Sequence, residues 1–298
     1  MKIGFIGAGK VGCSLGKYLS LGGLEIVGYQ SRSFASAREA AAWTGSRAFA
    51  EPLELLKEAD LLFLSVPDGA ISTVWLSLHA LEADIQGKIF AHLSGSLSSA
   101  LFEGAQERGA EAVSLHPLMA VPDRRSHELL AGAVFTVEGS AAGASRIASK
   151  LAALGNSVFP LPREAKTLYH CAASFVSNFA VALAHVGGSL FDRLGLGAAR
   201  PALFGLMLAN AKSVAALGPV QALTGPVERG DADTVRAHLE ALSGSEKEIY
   251  RLLAQRLVEI ARAKRPETDY APLAELLLGP PLPPGDEVSM GNGRPGKK

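Results

Sequence analysis

Residues 2–12 read Lys2-Ile3-Gly4-Phe5-Ile6-Gly7-Ala8-Gly9-Lys10-Val11-Gly12, and this stretch decides the fold. An apolar run short enough for a buried strand breaks at Gly7-x-Gly9-x-x-Gly12, and a helical pattern follows at once. Strand, tight turn and helix are the context that a dinucleotide-binding fingerprint requires. In it Gly7 permits the turn, Gly9 lets the backbone approach a pyrophosphate, and Gly12 lets helix and strand pack closely. Exposed N–H groups and the positive end of the helix dipole then hold the phosphates. Gly7, Ala8, Gly9, Lys10, Val11 and Gly12 are therefore the expected cofactor contacts.

The end of the next strand refines the cofactor. Leu24-Glu25-Ile26-Val27-Gly28-Tyr29 runs into Gln30-Ser31-Arg32-Ser33. About twenty residues past the glycines, an NAD site places a carboxylate for the ribose 2′-hydroxyl. Here hydroxyls and a guanidinium stand instead, and these suit a 2′-phosphate dianion. Ser31, Arg32 and Ser33 thus point to NADP(H). The competing reading is a solvated loop arginine, with Ser33 capping the helix that follows.

At 298 residues the chain is long enough for two domains, each with its own core. Lys+Arg and Asp+Glu both number 29, which gives no basic excess for a nucleic-acid partner. The only cysteines, Cys13 and Cys171, are too few for a disulfide framework, and no metal-ligand spacing occurs. No apolar run approaches about 18 residues without a polar interruption, so a membrane span is not expected. The first strand leaves no room for a signal peptide, and the expected location is cytoplasmic.

Apolar runs at 2–7, 24–29, 61–66, 88–93, 111–115 and 133–138 alternate with amphipathic stretches. The pattern predicts an α/β domain over residues 1–160, a doubly wound parallel sheet with helices on both faces. Val66 and Pro67, and then Ser94 and Gly95, fall at strand ends on the carboxyl edge, where such folds bind ligands. They are expected to complete the cofactor site, with His116 one strand further on facing substrate. A helix near 141–154 and a strand near 157–160 close the domain.

After Pro162 the period becomes 3.6, and helices near 164–195, 198–217, 232–243 and 246–264 predict an all-helical domain over 161–278. The segment 279–298 is rich in Pro and Gly and is expected to be disordered. On the first of these helices, Lys166, His170, Ser174 and Ser177 fall within roughly an 80° arc, flanked by Tyr169 and Asn178. The other positions are so apolar that the helix is expected to be buried on most sides, its polar stripe facing a wet cleft or interior partners. In a cleft, Lys166 would donate a proton as hydride arrives, His170 or Tyr169 being alternatives; Asn178 would orient substrate and Ser174 contact it. The competing reading makes Lys166 an exposed first-turn lysine and His170 and Tyr169 satisfied core residues. Further on, Thr224-Gly225-Pro226 and Arg229-Gly230-Asp231 are turn chemistry. Asp231 is a natural N-cap, Arg229 could anchor a substrate carboxylate, and Thr224 or Asp231 could complete a polar wall. Alternatively Arg229 and Asp231 only pin the loop.

The glycine turn, Ser31-Arg32-Ser33, Val66-Pro67-Asp68, Ser94-Gly95-Ser96, Ser114-Leu115-His116-Pro117, Tyr169-His170 with Ser177-Asn178, and Leu223-Thr224-Gly225-Pro226 with Arg229-Gly230-Asp231 occur in this order. In that order the chain resembles the bacterial Rossmann-like NADP oxidoreductases with a C-terminal helical domain of unassigned function. Wider relatives by resemblance are 6-phosphogluconate and 3-hydroxyisobutyrate dehydrogenases, ketopantoate reductase and pyrroline-5-carboxylate reductase. The resemblance implies a Rossmann domain, NADP(H), and Lys166 in the place of the proton-donating lysine of the first two. Tyr169 and His170 stand where those enzymes carry Asn. The expectation is a two-domain NADP-dependent oxidoreductase acting on a small 2-oxo acid, 2-hydroxy acid or imine in an interdomain cleft. A deazaflavin or flavin reductase, an NADP(H) sensor without turnover, and a structural dimer module are the alternatives. The apolar helices at 172–191 and 201–217 predict a homodimer through the helical domain.

Overall fold

The computed structural model describes residues 1–278; the tail expected over 279–298 lies outside the described residues. Two compact units divide at Ala180 and Val181. In the first, the chain runs β1 (Ile3–Ile6), α1 (Lys10–Leu21), β2 (Ile26–Gln30), α2 (Phe34–Thr44), β3 (Arg47–Phe49), α3 (Pro52–Glu58) and β4 (Leu61–Leu64). It continues through α4 (Asp68–His79), β5 (Ile89–His92), β6 (Glu111–Pro117), β7 (Val134–Gly139), α5 (Ala141–Ala153), β8 (Ser157–Pro160) and α6 (Lys166–Val176). The strands form one sheet in the order β3-β2-β1-β4-β5-β6-β7-β8. This is the doubly wound arrangement, and its direction of winding reverses between β1 and β4.

The sheet departs from the sequence expectation twice. It is not wholly parallel, because β7 runs antiparallel to β6. The intervening segment is a loop with a 3₁₀ turn at Ser126–Leu130 and supplies no crossover helix. A parallel neighbour needs such a crossover, so the chain folds back instead. The edge strand β3 was also not expected; its three residues are too few to show a period.

Along β4 the side chains alternate. Leu61 and Phe63 enter the core under α1 and α2, while Leu62 and Leu64 enter the opposite core with Trp75 and Phe90. Burial on both faces is why these strands read as unbroken apolar runs. Phe5 stacks on Tyr29 at 5.0 Å and on Phe63 at 5.2 Å, tying the three central strands together on one face. Ser65, just past β4, reaches under the first turn and donates to the Gly7 carbonyl at 2.8 Å.

The second unit comprises most of α7 (Asn178–Arg193), then α8 (Arg200–Ala222), α9 (Ala232–Ala241), α10 (Gly244–Lys264) and α11 (Ala271–Leu278). Its core gathers Val227, Val235, Leu239, Ala254, Val258, Ala261, Tyr270, Leu273 and Leu277. The helix expected over 164–195 is broken at Ser177, whose φ −111 and ψ −77 end α6. The α8 segment is interrupted by Gly218 at φ 75 and ψ 163, directly before Pro219.

Burial corrects a further expectation. The apolar helix was predicted to be covered on most sides, yet Lys166 is the one buried residue of α6 and Gly188 the one in α7. Helix α8 buries none. The stretches Arg163–Arg193 and Gly197–Ala222 are each long and apolar enough to cross a membrane, with mean hydropathy 1.4. Their polar residues interrupt the apolar runs without lowering that mean enough.

An added Cβ at Gly12 would strike the Ser65 side chain, its Cβ lying only 2.6 Å away. Gly12→Ala is therefore expected to destabilise the chain by about 1–3 kcal/mol, as overpacking does. Calorimetry should show a lowered first unfolding transition; an unchanged melt would mean that Ser65 can withdraw freely.

Candidate active site

The first turn is shaped for an anion. Gly7 sits at φ +103, and a Cβ there would come within 2.5 Å of the Ser65 carbonyl oxygen. Only glycine takes this conformation without strain. A Cβ on Gly9 would meet nothing nearer than the Ser65 oxygen at 3.5 Å, so the outer side of the turn is open. Gly9 is the N-cap of α1 and offers no side-chain acceptor, leaving the first-turn N–H groups for a ligand.

A cavity of about 830 Å³ runs from this turn along the carboxyl edge. Gly7, Ala8, Gly9, Val66 and Pro67 line it together with Ser31, Arg32, Ser33 and Ser36. Arg32 is exposed. The Ser33 hydroxyl accepts from the Ser36 N–H at 3.3 Å, so it caps α2 as well as lining the cavity. Arg124, from the loop after β6, lines the same cavity and was not singled out in the sequence. It stands 92 positions after Arg32, beyond the reach of any local pattern.

A second polar centre lies at the ends of β5 and β6. His92 is fully buried; its Nδ1 accepts from the Ser94 N–H and its Nε2 donates to the Ser98 carbonyl, both at 3.2 Å. The Ser94 hydroxyl donates to Asp68 Oδ2 at 2.6 Å and accepts from the Ser96 and Leu97 N–H groups at 3.2 and 3.0 Å. These bonds bend the Ser94-Gly95-Ser96 turn around one hydroxyl. Lys166 enters beneath it with 2% of its surface exposed. Its Nζ donates to Ser114 Oγ at 2.8 Å and to the Ser94 carbonyl at 3.3 Å. Burial lowers its pKa, while Glu138 and Asp68 act the other way. Glu138 is itself buried and accepts from the Ser99 N–H at 2.6 Å, from the Ser99 hydroxyl at 2.8 Å and from Arg163 Nε at 3.3 Å.

Above this floor, His116 Nδ1 lies 2.9 Å from the Tyr169 hydroxyl. Burial is the main reason the His116 pKa falls to about 4, helped by Lys166 and His170. Burial pushes the Tyr169 phenol above its ordinary value. A Cβ on Gly95 would lie 2.5 Å from His170 and 2.9 Å from His116, so the turn passes tightly under both rings.

Of the sequence-predicted residues, Lys166, Tyr169, His170, His116, Ser94 and Gly95 are brought together within the first unit. Against the competing reading, Lys166 is buried and His170 exposed, while Tyr169 is half-buried and hydrogen-bonded. The expected stripe is not one surface. Ser174 is turned back onto its own helix, donating to the His170 carbonyl at 3.0 Å. Asn178 opens α7 beyond the break at Ser177 and leaves the α6 face. Thr224, Arg229 and Asp231 belong to the second unit, where Asp231 caps α9 by accepting from the Thr234 N–H at 3.0 Å and its hydroxyl at 2.7 Å. That turn is pinned by Glu228 rather than Arg229. The buried Glu228 accepts from Arg265 Nε at 2.6 Å, Lys264 Nζ binds the Leu223 carbonyl at 2.7 Å, and Tyr270 binds the Glu228 carbonyl at 2.7 Å. Arg229 itself is exposed.

Residues 1–117 match the family model of a Rossmann-like domain, and residues 133–257 match a domain of unknown function, DUF2520. The two matched segments follow the order that the sequence resemblance implied, a Rossmann-like domain and then a domain of unassigned function. Among solved structures it is similar to protein TM1727 from Thermotoga maritima, at 28% identity and TM-score 0.71, covering 88% of this chain and 99% of that one. It is similar to BF3122 from Bacteroides fragilis, a provisionally assigned NADP oxidoreductase, at 25% identity and TM-score 0.70, covering 87% and 98%. It shares the fold of an imine reductase from Myxococcus stipitatus solved with NADP+, at 20% identity and TM-score 0.63, covering 93% and 100%. No curated protein matches the sequence.

Burial lowers both His92 and His116 to about 4 in the folded chain. The unfolded chain, with ordinary histidines, then takes up protons first, so stability is lost as pH falls from about 6.5 toward 4, by roughly 3 kcal/mol at most for His92. Urea midpoints measured across that window should fall, and less steeply in His116→Asn. A flat profile would show that both rings charge within the fold.

Proposed function

We propose that the chain is an NADP(H)-dependent oxidoreductase that reduces the C=N or C=O bond of a small imine or 2-oxo acid, or oxidises the corresponding product. The observation that carries this reading is the cavity of about 830 Å³ that joins the glycine turn to Ser31, Arg32 and Ser33. The open side of Gly9, the uncapped helix end and the free face of Arg32 fit a pyrophosphate and a 2′-phosphate. Gly7–Gly12, Ser31–Ser33, Val66, Pro67, Ser94 and Gly95 would hold the cofactor. The similarity to BF3122 and to an NADP+-bound imine reductase supports the choice.

When bound, the dinucleotide supplies the hydride. The chain must then place one proton on the substrate nitrogen or oxygen, and Tyr169 is the group we assign to this. Its phenol remains protonated at neutral pH because burial opposes the phenolate. It is half-buried and hydrogen-bonded to a neutral His116, whose Nδ1–H tautomer can donate to the phenolate left behind. Lys166 is the weaker donor. Its Nζ is committed to Ser114 and Ser94, so it positions the Ser94-Gly95-Ser96 turn. His170 is exposed beside them and is assigned to substrate contact.

The second unit supports assembly. Within it α8 is apolar on all sides yet buries no side chain, with Leu206 at 60% and Leu217 at 61% exposed. A helix apolar all round is normally covered, and a second copy of this chain is the partner proposed.

Oxidation of NADPH followed by absorbance against a panel of cyclic imines, 2-oxo acids and a deazaflavin tests the reading. Tyr169→Phe is expected to lower kcat by about 10²–10⁴-fold with NADPH affinity unchanged. NADPH binding without turnover on any member would favour the sensor instead, and full activity in Tyr169→Phe would remove the assigned donor. Sedimentation equilibrium at micromolar concentration should give a dimer mass, and a monomer would refute the assembly.

A further inference from the structure

The loop between β6 and β7 carries Asp123-Arg124-Arg125-Ser126 back to the first turn. Its backbone is anchored there, because the fully buried Ser14 of α1 donates to the Asp123 carbonyl at 3.1 Å. The loop also holds itself: Asp123 Oδ1 accepts from the Arg125 N–H at 2.7 Å and the Ser126 hydroxyl at 3.0 Å. Arg124 therefore starts from a fixed point. Its side chain lines the cavity together with Ser31, Arg32, Ser33 and Ser36. Its Nη1 lies 3.0 Å from Oε2 of Glu39, on α2 one turn beyond Ser36. Both members of this pair face water, with 42% and 72% of their side-chain surface exposed, so the pairing is weak.

We propose that Arg124 is the second guanidinium of the 2′-phosphate site, closing on the phosphate together with Arg32, and that Glu39 holds Arg124 in place until the phosphate arrives. The inference rests on the NADP(H) reading above and extends it. A 2′-phosphate carries about −1.5 to −2 charges at pH 7, by analogy with phosphorylated side chains, and accepts on three oxygens. It competes for Arg124 better than one exposed carboxylate does, and it repels Glu39. A 2′-hydroxyl offers no such exchange, so NAD(H) leaves the Arg124–Glu39 pair intact. Discrimination is then shared between two arginines on distant segments. The anchor at Ser14 places the second of them beside the same helix whose first turn would take the pyrophosphate.

Titration of the full chain with NADPH and with NADH, read by ligand fluorescence, tests this. Arg124→Ala is expected to weaken NADPH by about ten- to a hundredfold and to leave NADH unchanged, as loss of a charged hydrogen bond predicts. Arg124→Lys should recover part of that loss. Glu39→Gln should tighten NADPH by up to about fivefold, the range of an exposed ion pair. Unchanged NADPH affinity in Arg124→Ala would overturn the proposal while leaving the cofactor reading intact. An equal loss for NADH would also overturn it, by moving Arg124 to the pyrophosphate or to the fold. Weaker NADPH binding in Glu39→Gln would remove the placeholder role. Failure of the unmodified chain to bind NADPH would sink the cofactor reading itself.

Discussion

The Ser65 hydroxyl lies where the end of β4 meets the first turn, beside the bond from its own N–H to the Ile6 carbonyl at 2.8 Å. It donates to the Gly7 carbonyl at 2.8 Å and to the Ile6 carbonyl at 3.3 Å, locking the end of β4 under the first turn. The same side chain fills the space where a Cβ at residue 12 would stand, and its carbonyl occupies the Cβ position of residue 7. Two of the three fingerprint glycines are thus required by a neighbour in the fold, while the third, Gly9, faces open space. That division of labour directs the amino end of α1 into the crevice between β1 and β4, where the sheet changes its direction of winding. Every ligand contact assigned above depends on this placement.

Lys166 plays a comparable part at the other end of the carboxyl edge. A buried ammonium is costly unless its hydrogens are used. Here Ser114 and Ser94 accept from it, and the carboxylates of Glu138 and Asp68 favour its charge. The arrangement joins α6 to the ends of β5 and β6, consistent with α6 falling in the first compact unit. In the proposed function this commitment makes Lys166 a support, not the proton donor that the resemblance implied. Tyr169, one turn later on the same helix and paired with a neutral His116, is the donor assigned in the proposed function.

The two units illustrate different uses of apolar surface. In the first, apolar side chains on both faces of the sheet are consumed by α1–α5. In the second, α9, α10 and α11 form a small core, and α8 stays outside it. Composition cannot tell these cases apart, because a helix covered by its own chain and one covered by another have the same residues. The expectation that the helix after Pro162 would be buried on most sides is not met within this chain.

Local chemistry was enough for the doubly wound strands, the glycine turn, the Ser31-Arg32-Ser33 end of β2 and the Asp231 cap. Each depends on residues a few positions apart, within reach of one turn of backbone. The antiparallel β7, the inward Lys166, the Tyr169–His116 pair, the Glu228–Arg265 pin and the arrival of Arg124 beside Arg32 were decided only by tertiary structure. All join side chains far apart in sequence, and nothing in a local pattern encodes which distant groups will share a site. Hydrophobic period and turn residues specify how a segment folds on itself. Which buried charges and rings then meet is settled by the packing of whole elements, where satisfying a buried donor outweighs any preference of the segment that carries it.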